Sequence, residues 1–520
     1  NLSPPCSTRS PGKLDTAAYS SKRWNSEELT DLHRGLVCSP QLMNRPPTEK
    51  RKPANMLKAR HCVLGMAVVT VFYIYSTNLP KDNCPITNQV VINEAREGQG
   101  ERLRAGKEVP LQEMDKKRHT VGREEFRGMN GLHKEYDIVV VGAGLSGAVV
   151  AERASKLLGL RVLVLDKRDH IGGNCYDYID KYGIRTSLYG VHIFHTKYDR
   201  VKDYVQQFSE WIPYEHRVVA KTKDMNGNTK YVPMPPNFDT VNMLFNENIT
   251  SKEEMIAWLD ERRPNKGKDY VPQNGEEMAL SRVGKELYEL LFKHYTKKQW
   301  DKYPIELDPL VLSRLPYREN NDDRYFDDPW QHLPKNGYTA MFENMLLKND
   351  KISVRLDVDY FEIKDKLPDH KLLVFTGPID NYFASKGLPK LEYRSIYFET
   401  EYLEPKNYIY QPAWVVNHPG PEVNFTRVSE YKHAPNQPPG VKEYPGTVVY
   451  REYSTDVGDP YYPVPNDRNK NLYKKYQELS QKEPGVKFVG RLASYKYFNM
   501  DQAILNALEF FDEEIKTVDF

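Results

Sequence analysis

Cysteine is scarce in this 520-residue chain, with five in all, at positions 6, 38, 62, 84 and 175. Only Cys175 falls after residue 135. That excludes a disulfide framework or a thiolate metal spacing in the later part, and no metal is expected there. A dominant charge sign is also missing. Lys and Arg total 74 against 72 Asp and Glu, a net of +2. The two signs are interspersed, so no basic face argues for nucleic acid, and none is expected as a partner. Long apolar runs are lacking apart from one near the N-terminus. What is plentiful is tyrosine, at 36. A flat ring with a polar tip suits stacking on bases and bonding to phosphates, although most of so many must simply fill core edges.

The length suggests about two to four domains. Residues 1–55 are rich in Ser, Pro, Thr, Lys and Arg without apolar periodicity, and they read as disordered. The chain begins with Asn1, and Met56 offers a natural start. Within the segment 56–80, residues 62–79 run 18 positions without a charge, after Lys50, Arg51, Lys52, Lys58 and Arg60. A spanning helix wants about 20 apolar residues, and a basic flank stays in the cytoplasm. The expectation is a single-pass signal anchor, meeting the membrane through residues 62–79, with the region after residue 134 lumenal in Golgi or ER. A cleaved signal peptide and a later region that stays cytoplasmic are the alternatives. Residues 81–134 read as a charged stem, dominated by Glu, Arg, Lys and Gln. The sequons Asn248-Ile-Thr and Asn424-Phe-Thr bear on this topology. Asn424 lies three residues before Arg427, a candidate site residue, so either Asn424 is buried or the domain faces the cytosol.

The most specific stretch starts at Tyr136. A β-branched run, Ile138 to Val141, is too short and apolar for a surface helix and reads as a buried parallel strand. Gly142-Ala-Gly144-Leu-Ser-Gly147 follows, then a helical run and a second strand ending on Asp166. Gly142 allows the tight turn, Gly144 lets backbone approach a pyrophosphate, and Gly147 lets the helix pack close to the sheet. The pyrophosphate then meets free N–H groups at the helix N-terminus. Asp166, 24 residues after Gly142, can accept from an adenosine ribose. The pair Gly172-Gly173 offers backbone to a flavin and tips the choice from NAD to FAD.

Beyond this unit, helices are expected over 199–212, 239–262, 276–300, 472–480 and 501–515. Strands are expected over 352–355, 371–375, 393–399, 413–417, 424–430 and 447–453. The fold class is α/β: an FAD-binding Rossmann-like domain with a helical insertion domain and a mixed/antiparallel sheet domain. The FAD-binding parts fall at about 135–200 and 485–515, the helical insertion at about 200–315 and the sheet region at about 335–485.

Several motifs then accumulate: Lys167-Arg-Asp-His-Ile-Gly-Gly-Asn174, Tyr189-Gly-Val-His-Ile-Phe-His-Thr196, Tyr295-Thr-Lys-Lys-Gln-Trp300, Gly458-Asp-Pro-Tyr-Tyr-Pro463 and Gly490-Arg-Leu-Ala493. With them, residues 135–515 resemble the bacterial type of UDP-galactopyranose mutase. The resemblance implies interconversion of UDP-galactopyranose (UDP-galactose) and UDP-galactofuranose by ring contraction. It implies FAD that must be reduced, its N5 acting as nucleophile on the anomeric carbon. An unidentified reductant such as NAD(P)H is then a partner, and a homo-oligomer is left open.

The resemblance also assigns residues. Arg314 matches the family's loop arginine, which reaches the diphosphate on closure, and Arg427 matches the fixed one. A guanidinium stays charged and grips two oxygens of a departing diphosphate. Tyr325, Tyr462 and Tyr497 match phosphate-contacting tyrosines. Tyr295, Thr296 and Trp300 match the uridine pocket, and Asn417 and Arg394 match substrate-site residues. His192, Ile193 and His195 lie on the turn beside the flavin, with His195 matching a residue that responds to flavin reduction. Gly142, Gly144, Gly147, Asp166, Lys167, Arg168, Gly173, Asn174, Arg491, Asn499 and Met500 complete the cofactor set. The helix from Asp501 would aim its N-terminus at the reduced flavin.

Two residues depart from the pattern. Asn499 stands where bacterial relatives usually carry an acid, and His216 where some carry an asparagine. Other readings are an FAD-dependent amine oxidase or desaturase, which shares the glycine motifs, and a UDP-sugar binding protein with weakened catalysis, for which Asn499 is the hint.

Overall fold

The computed structural model describes residues 135–264, 270–313, 317–403 and 409–520. The residues expected to be a disordered segment, an anchor over 62–79 and a stem lie outside the described residues, and so does Arg314. Among the described residues no helix is long and apolar enough to cross a membrane. Both sequon asparagines, Asn248 and Asn424, are exposed. Burial therefore gives Asn424 no protection, and the lumenal expectation loses that support.

The first layer is a parallel sheet. Its strand order is Ile352–Arg355, Val162–Leu165, Ile138–Val141, Leu372–Phe375, Val486–Phe488. Ile138–Val141 sits in the middle, flanked on both sides, which is why its run is apolar without alternation. The helix Leu145–Leu158 packs over the sheet through Ala148, Ala151 and Ala154, each 0% exposed. Small side chains there let Ile504, Ala507 and Leu508 of the helix Met500–Phe510 join the same core. Two helices more than 340 residues apart thus share one core. Leu372–Phe375 comes from within the stretch expected to hold the other sheet.

The second layer is a seven-stranded sheet ordered Tyr462–Pro463, Tyr393–Leu403, Thr447–Thr455, Arg427–Glu430, Val415–Asn417, Val218–Lys223, Thr229–Met234. Every pairing is antiparallel except that of Val415–Asn417 with Val218–Lys223. Helices Phe238–Phe245, Lys252–Arg262 and Gly275–Leu287 cover it through Val241, Leu259 and Val283. A π-helical turn, Tyr288–Phe292, then leads into the helix Lys293–Trp300.

One expected helix is shorter than its apolar pattern. Asp199–Val205 stops early, because Trp211–Pro213 pairs as a strand with Trp330–Pro334, which also pairs with Phe194–Thr196. Trp211, Trp330 and Phe194 cluster there with ring centroids 5.1 to 5.7 Å apart. Aromatic packing across the sheet outweighs the local preference of residues 206–212 for continuing the helix.

Candidate active site

A cavity of about 660 Å³ opens at the carboxyl ends of the parallel strands. Nine of the thirteen expected cofactor residues line it: Gly142, Gly144, Asp166, Lys167, Arg168, Gly173, Asn174, His192 and Arg491. Gly147, Ile193, Asn499 and Met500 do not line it. The volume suits a large nucleotide. The backbone fits one as well. No side chain caps the helix Leu145–Leu158 at Gly144, so its N–H groups remain for a phosphate. Gly144 and Gly173 meet backbone to backbone: a Cβ on Gly173 would lie 2.9 Å from the Gly144 Cα. This is a surface without side chains, as a pyrophosphate and a flat ring require. Asp166 is buried and accepts from the N–H of Ala143 at 2.8 Å and of Arg168 at 2.9 Å, which holds the carboxylate at the cavity wall.

The cationic pair beside it is tied across the cavity. Lys167 Nζ and Arg168 Nη2 meet Asp459 at 3.1 and 2.9 Å, and Arg168 Nη1 donates to Asn174 Oδ1 at 2.9 Å. Asp459 belongs to the Gly458–Pro463 motif, so this motif faces the cofactor cavity with its acid and presents Tyr462 beyond it. Cys175 Sγ packs against Met500 Sδ at 3.6 Å, which anchors the C-terminal helix to the glycine turn. Asn499 occupies the N-cap of that helix and its N–H donates to Gln502 Oε1 at 3.0 Å. Asn and Asp serve equally at an N-cap, so the departure at Asn499 leaves the helix start intact.

A second cluster forms on the large sheet. Asn417, Arg427 and Glu452 stand directly opposite one another on three neighbouring strands, followed by Phe398 on the next. Opposite residues share a face. Gly190, which opens the turn Gly190–His195, lies over this row. A Cβ there would come 3.1 Å from Phe398 Cζ and 3.5 Å from Glu452 Oε2, and its φ of +94° is one that glycine adopts freely. Sheet register thus sets the expected flavin turn against the expected diphosphate arginine.

Arg427 Nε donates to Glu452 Oε2 at 2.8 Å. Burial opposes the arginine charge, but Glu452, Tyr295 and Tyr462 outweigh it and hold its pKa well above normal. Tyr295, Tyr325 and Tyr497 each lie within electrostatic reach of Arg427. Burial raises all three phenols, so they are hydrogen-bond donors at neutral pH. Tyr462 and Tyr497 stack at 5.1 Å, with Arg491 5.7 Å over the Tyr462 ring. Of the substrate candidates, these four tyrosines, Arg427 and Asn417 come together. Thr296 is buried on the helix that carries Tyr295, and Trp300 ends that helix. Arg394 stands opposite Tyr462 in the sheet. Its Nε donates to Gln299 O at 3.1 Å and its Nη2 to Ser454 Oγ at 3.1 Å, pinning the end of the helix.

His195 Nδ1 meets Asp328 Oδ2 at 2.5 Å, and its ring stacks on Phe326 at 3.7 Å. Burial raises the Asp501 carboxyl against the opposing pull of His195. Neither Asp328 nor Glu452 carries a sequence signal, since each acts through a partner far along the chain. Asp459 lies within the Gly458–Pro463 motif, so the sequence does carry a signal for it.

Two histidines nearby predict an acid limb. Burial lowers His192 to about 4 and His216 to about 3, with Arg427 adding to both. In the unfolded chain an imidazole titrates at about 6.5. Below that pH the unfolded state takes up protons first, so stability falls as pH drops, until the folded values are passed. Urea unfolding of the protein at pH 7, 6 and 5 should show this fall, up to about 1.4 kcal/mol per pH unit for each histidine. His216→Gln should make it shallower. An identical slope in the variant would remove His216 from the account.

Comparison with known proteins fits this arrangement. A family model described as UDP-galactopyranose mutase matches residues 290–497, and one for an NAD(P)-binding Rossmann-like domain matches residues 140–208. A probable UDP-galactopyranose mutase of Klebsiella pneumoniae is 37% identical over 388 residues, which are 74% of this chain and 95% of the relative. A dTDP-fucopyranose mutase of Escherichia coli is 34% identical over 381 residues, 72% of this chain and 96% of that one. A crystal structure of reduced UDP-galactopyranose mutase superposes with a TM-score of 0.56 at 16% identity, covering 74% of this chain and 94% of that one, and so shares the fold. These relatives are matched nearly end to end by about three quarters of the chain, which leaves the expected anchor without a counterpart in them. The expectation of a membrane-anchored enzyme with a lumenal catalytic region is overturned by this likeness to bacterial relatives. The chain belongs to the UDP-galactopyranose mutase family.

Proposed function

We propose that this chain interconverts UDP-galactopyranose and UDP-galactofuranose, holding FAD in the 660 Å³ cavity. The observation that carries the reading is the meeting of Arg427 and four tyrosines beside the Gly190–His195 turn, where a diphosphate and a cofactor can be held side by side. When bound and reduced, FAD supplies a nucleophilic N5 toward the anomeric carbon. The protein residues do the rest. Arg427 grips the diphosphate oxygens, which gain charge as the nucleotide departs. The raised phenols of Tyr325 and Tyr497 donate to the same oxygens without becoming anions that would repel them. Tyr295, Thr296 and Trp300 form the uridine end, and Asn417 orients the sugar. The row Asn417–Arg427–Glu452 walls the site from the sheet side and limits water, which would otherwise hydrolyse the activated sugar. The flavin reductant is proposed to be a reduced nicotinamide, NAD(P)H.

The test is conversion of UDP-galactofuranose by the full chain, with and without dithionite, the products being separated by chromatography. Ring expansion is expected only with reduced flavin. Conversion without flavin, or none in either condition, would overturn the reading. Arg314, outside the described residues, is proposed as the second diphosphate contact. Arg314→Ala should cut turnover about tenfold or more, ~1.4 kcal/mol of barrier, and unchanged kinetics would remove it from the site. The comparable likeness to a dTDP-fucopyranose mutase favours one variant reading, a dTDP-linked substrate. Parallel assays with the two nucleotide sugars decide between them.

A further inference from the structure

The uridine and diphosphate candidates sit on separate elements, and one amine joins those elements. The helix Lys293–Trp300 carries Tyr295, Thr296 and Trp300. The strands Val415–Asn417 and Arg427–Glu430 carry Asn417 and Arg427 at their adjoining ends. Lys298 Nζ donates to Gly420 O at 2.8 Å, to Phe425 O at 3.0 Å and to His418 O. All three carbonyls belong to the turn that links Asn417 to Arg427. An ammonium has three donors and no acceptor, so each N–H meets one carbonyl. The helix is held at the next residue as well: Gln299 O accepts from Arg394 Nε at 3.1 Å and from Ser454 Oγ at 2.6 Å.

Taking an amine out of water is costly unless its donors are all met. Apolar packing could dock a helix on a loop more cheaply, but it would not define their distance as three directed bonds do. We propose that Lys298 is a positioning residue for the nucleotide: its three carbonyl bonds set the spacing between the Tyr295–Trp300 helix and the Asn417–Arg427 pair, so that uridine and diphosphate are bound at once. The inference rests on the reading of those residues as the two ends of one UDP site.

The surroundings make the tie sensitive to alkali. Burial pushes the Lys298 amine down to about 8, and Glu422 of the turn opposes this only in part. The other groups facing the turn are His418, itself lowered to about 4, Lys221 of the strand Val218–Lys223 and Arg451 of the strand Thr447–Thr455. On its own helix, Lys297 is paired with Asp301 at 2.9 Å. A neutral amine keeps two N–H groups for three carbonyls. Nucleotide affinity should therefore fall as pH rises through about 8.

The experiment is calorimetric titration of the full-length, FAD-loaded protein with UDP, joined to steady-state kinetics. Lys298→Met should weaken UDP about tenfold and raise KM likewise, while kcat moves less than about threefold. Bound flavin per chain should stay as in the wild type. In the wild type, UDP affinity should fall between pH 7 and pH 9 more steeply than in Lys298→Gln, whose side chain does not titrate. Uridine's own ionisation acts equally on both proteins and cancels in that comparison. Equal affinities with parallel pH profiles would overturn the inference. Loss of flavin alongside UDP binding would also overturn it, by making Lys298 a residue of folding alone. A wild-type protein that binds no UDP would sink the proposed function and this inference together, whereas UDP binding indifferent to both variants sinks only the inference.

Discussion

Arg427→Lys is expected to lower kcat/KM about 100-fold, ~2.7 kcal/mol of transition-state stabilisation. Lysine keeps the charge, so this size of loss has to come from geometry. The Arg427 Nε is committed to Glu452 Oε2 at 2.8 Å, which leaves the two terminal nitrogens for a bidentate grip on the diphosphate. A single ammonium can serve Glu452 or the diphosphate well, but not both in a planar fork. Alanine would be the poorer test. It would leave the Glu452 carboxylate, whose side chain is 8% exposed, without its partner, and breaking a buried pair costs about 3–5 kcal/mol in folding. Lysine retains a cation beside Glu452 and separates catalysis from stability. Steady-state kinetics at matched flavin content checks the prediction, and a loss smaller than about threefold would take Arg427 out of the diphosphate grip.

Gly147→Ala is expected to abolish flavin retention and to destabilise the chain by roughly 3 kcal/mol. Alanine is the better helix former by about 1 kcal/mol, so propensity alone predicts the opposite sign. Sterics decide. The added Cβ would fall 1.9 Å from Gly142 O and 3.1 Å from Val140 Cγ1. Gly142 cannot withdraw, because its N–H is bonded to Leu165 O at 2.7 Å, and Thr376 Oγ1, bonded to Val141 O at 2.8 Å, blocks the other side. The helix Leu145–Leu158 must lift from the sheet, and the N–H groups at its start leave the pyrophosphate position with it. Flavin absorbance per chain and the urea midpoint read out the two effects. A variant purified with a full complement of FAD would refute the account.

The sequence carried the local signals well. Ile138–Val141, the glycine turn and the helix after it follow the sequence pattern, because each depends on contacts within a few residues. The late strands were legible for the same reason, and Tyr393–Leu403 and Thr447–Thr455 extend the expected ranges only at their ends. Residues 206–212 depart from their helical pattern because a strand partner more than 100 positions away, Trp330–Pro334, outweighs it. The partners of the key side chains were hidden altogether. Glu452 reaches Arg427 from 25 residues on, Asp328 reaches His195 from 133, and the Lys298 amine spans more than 100 residues to its carbonyls. Arg394, matched to the substrate site by resemblance alone, donates to Gln299 O and Ser454 Oγ, partners that no local pattern names.

By itself the sequence determined that a dinucleotide can be held, since positive φ, close backbone approach and a helix start are properties of a few consecutive residues. Family motifs extended this to a sugar nucleotide. Only the tertiary structure decided how the candidate substrate residues meet, because Asn417, Arg427 and Glu452 are brought side by side by sheet register, which no single segment specifies.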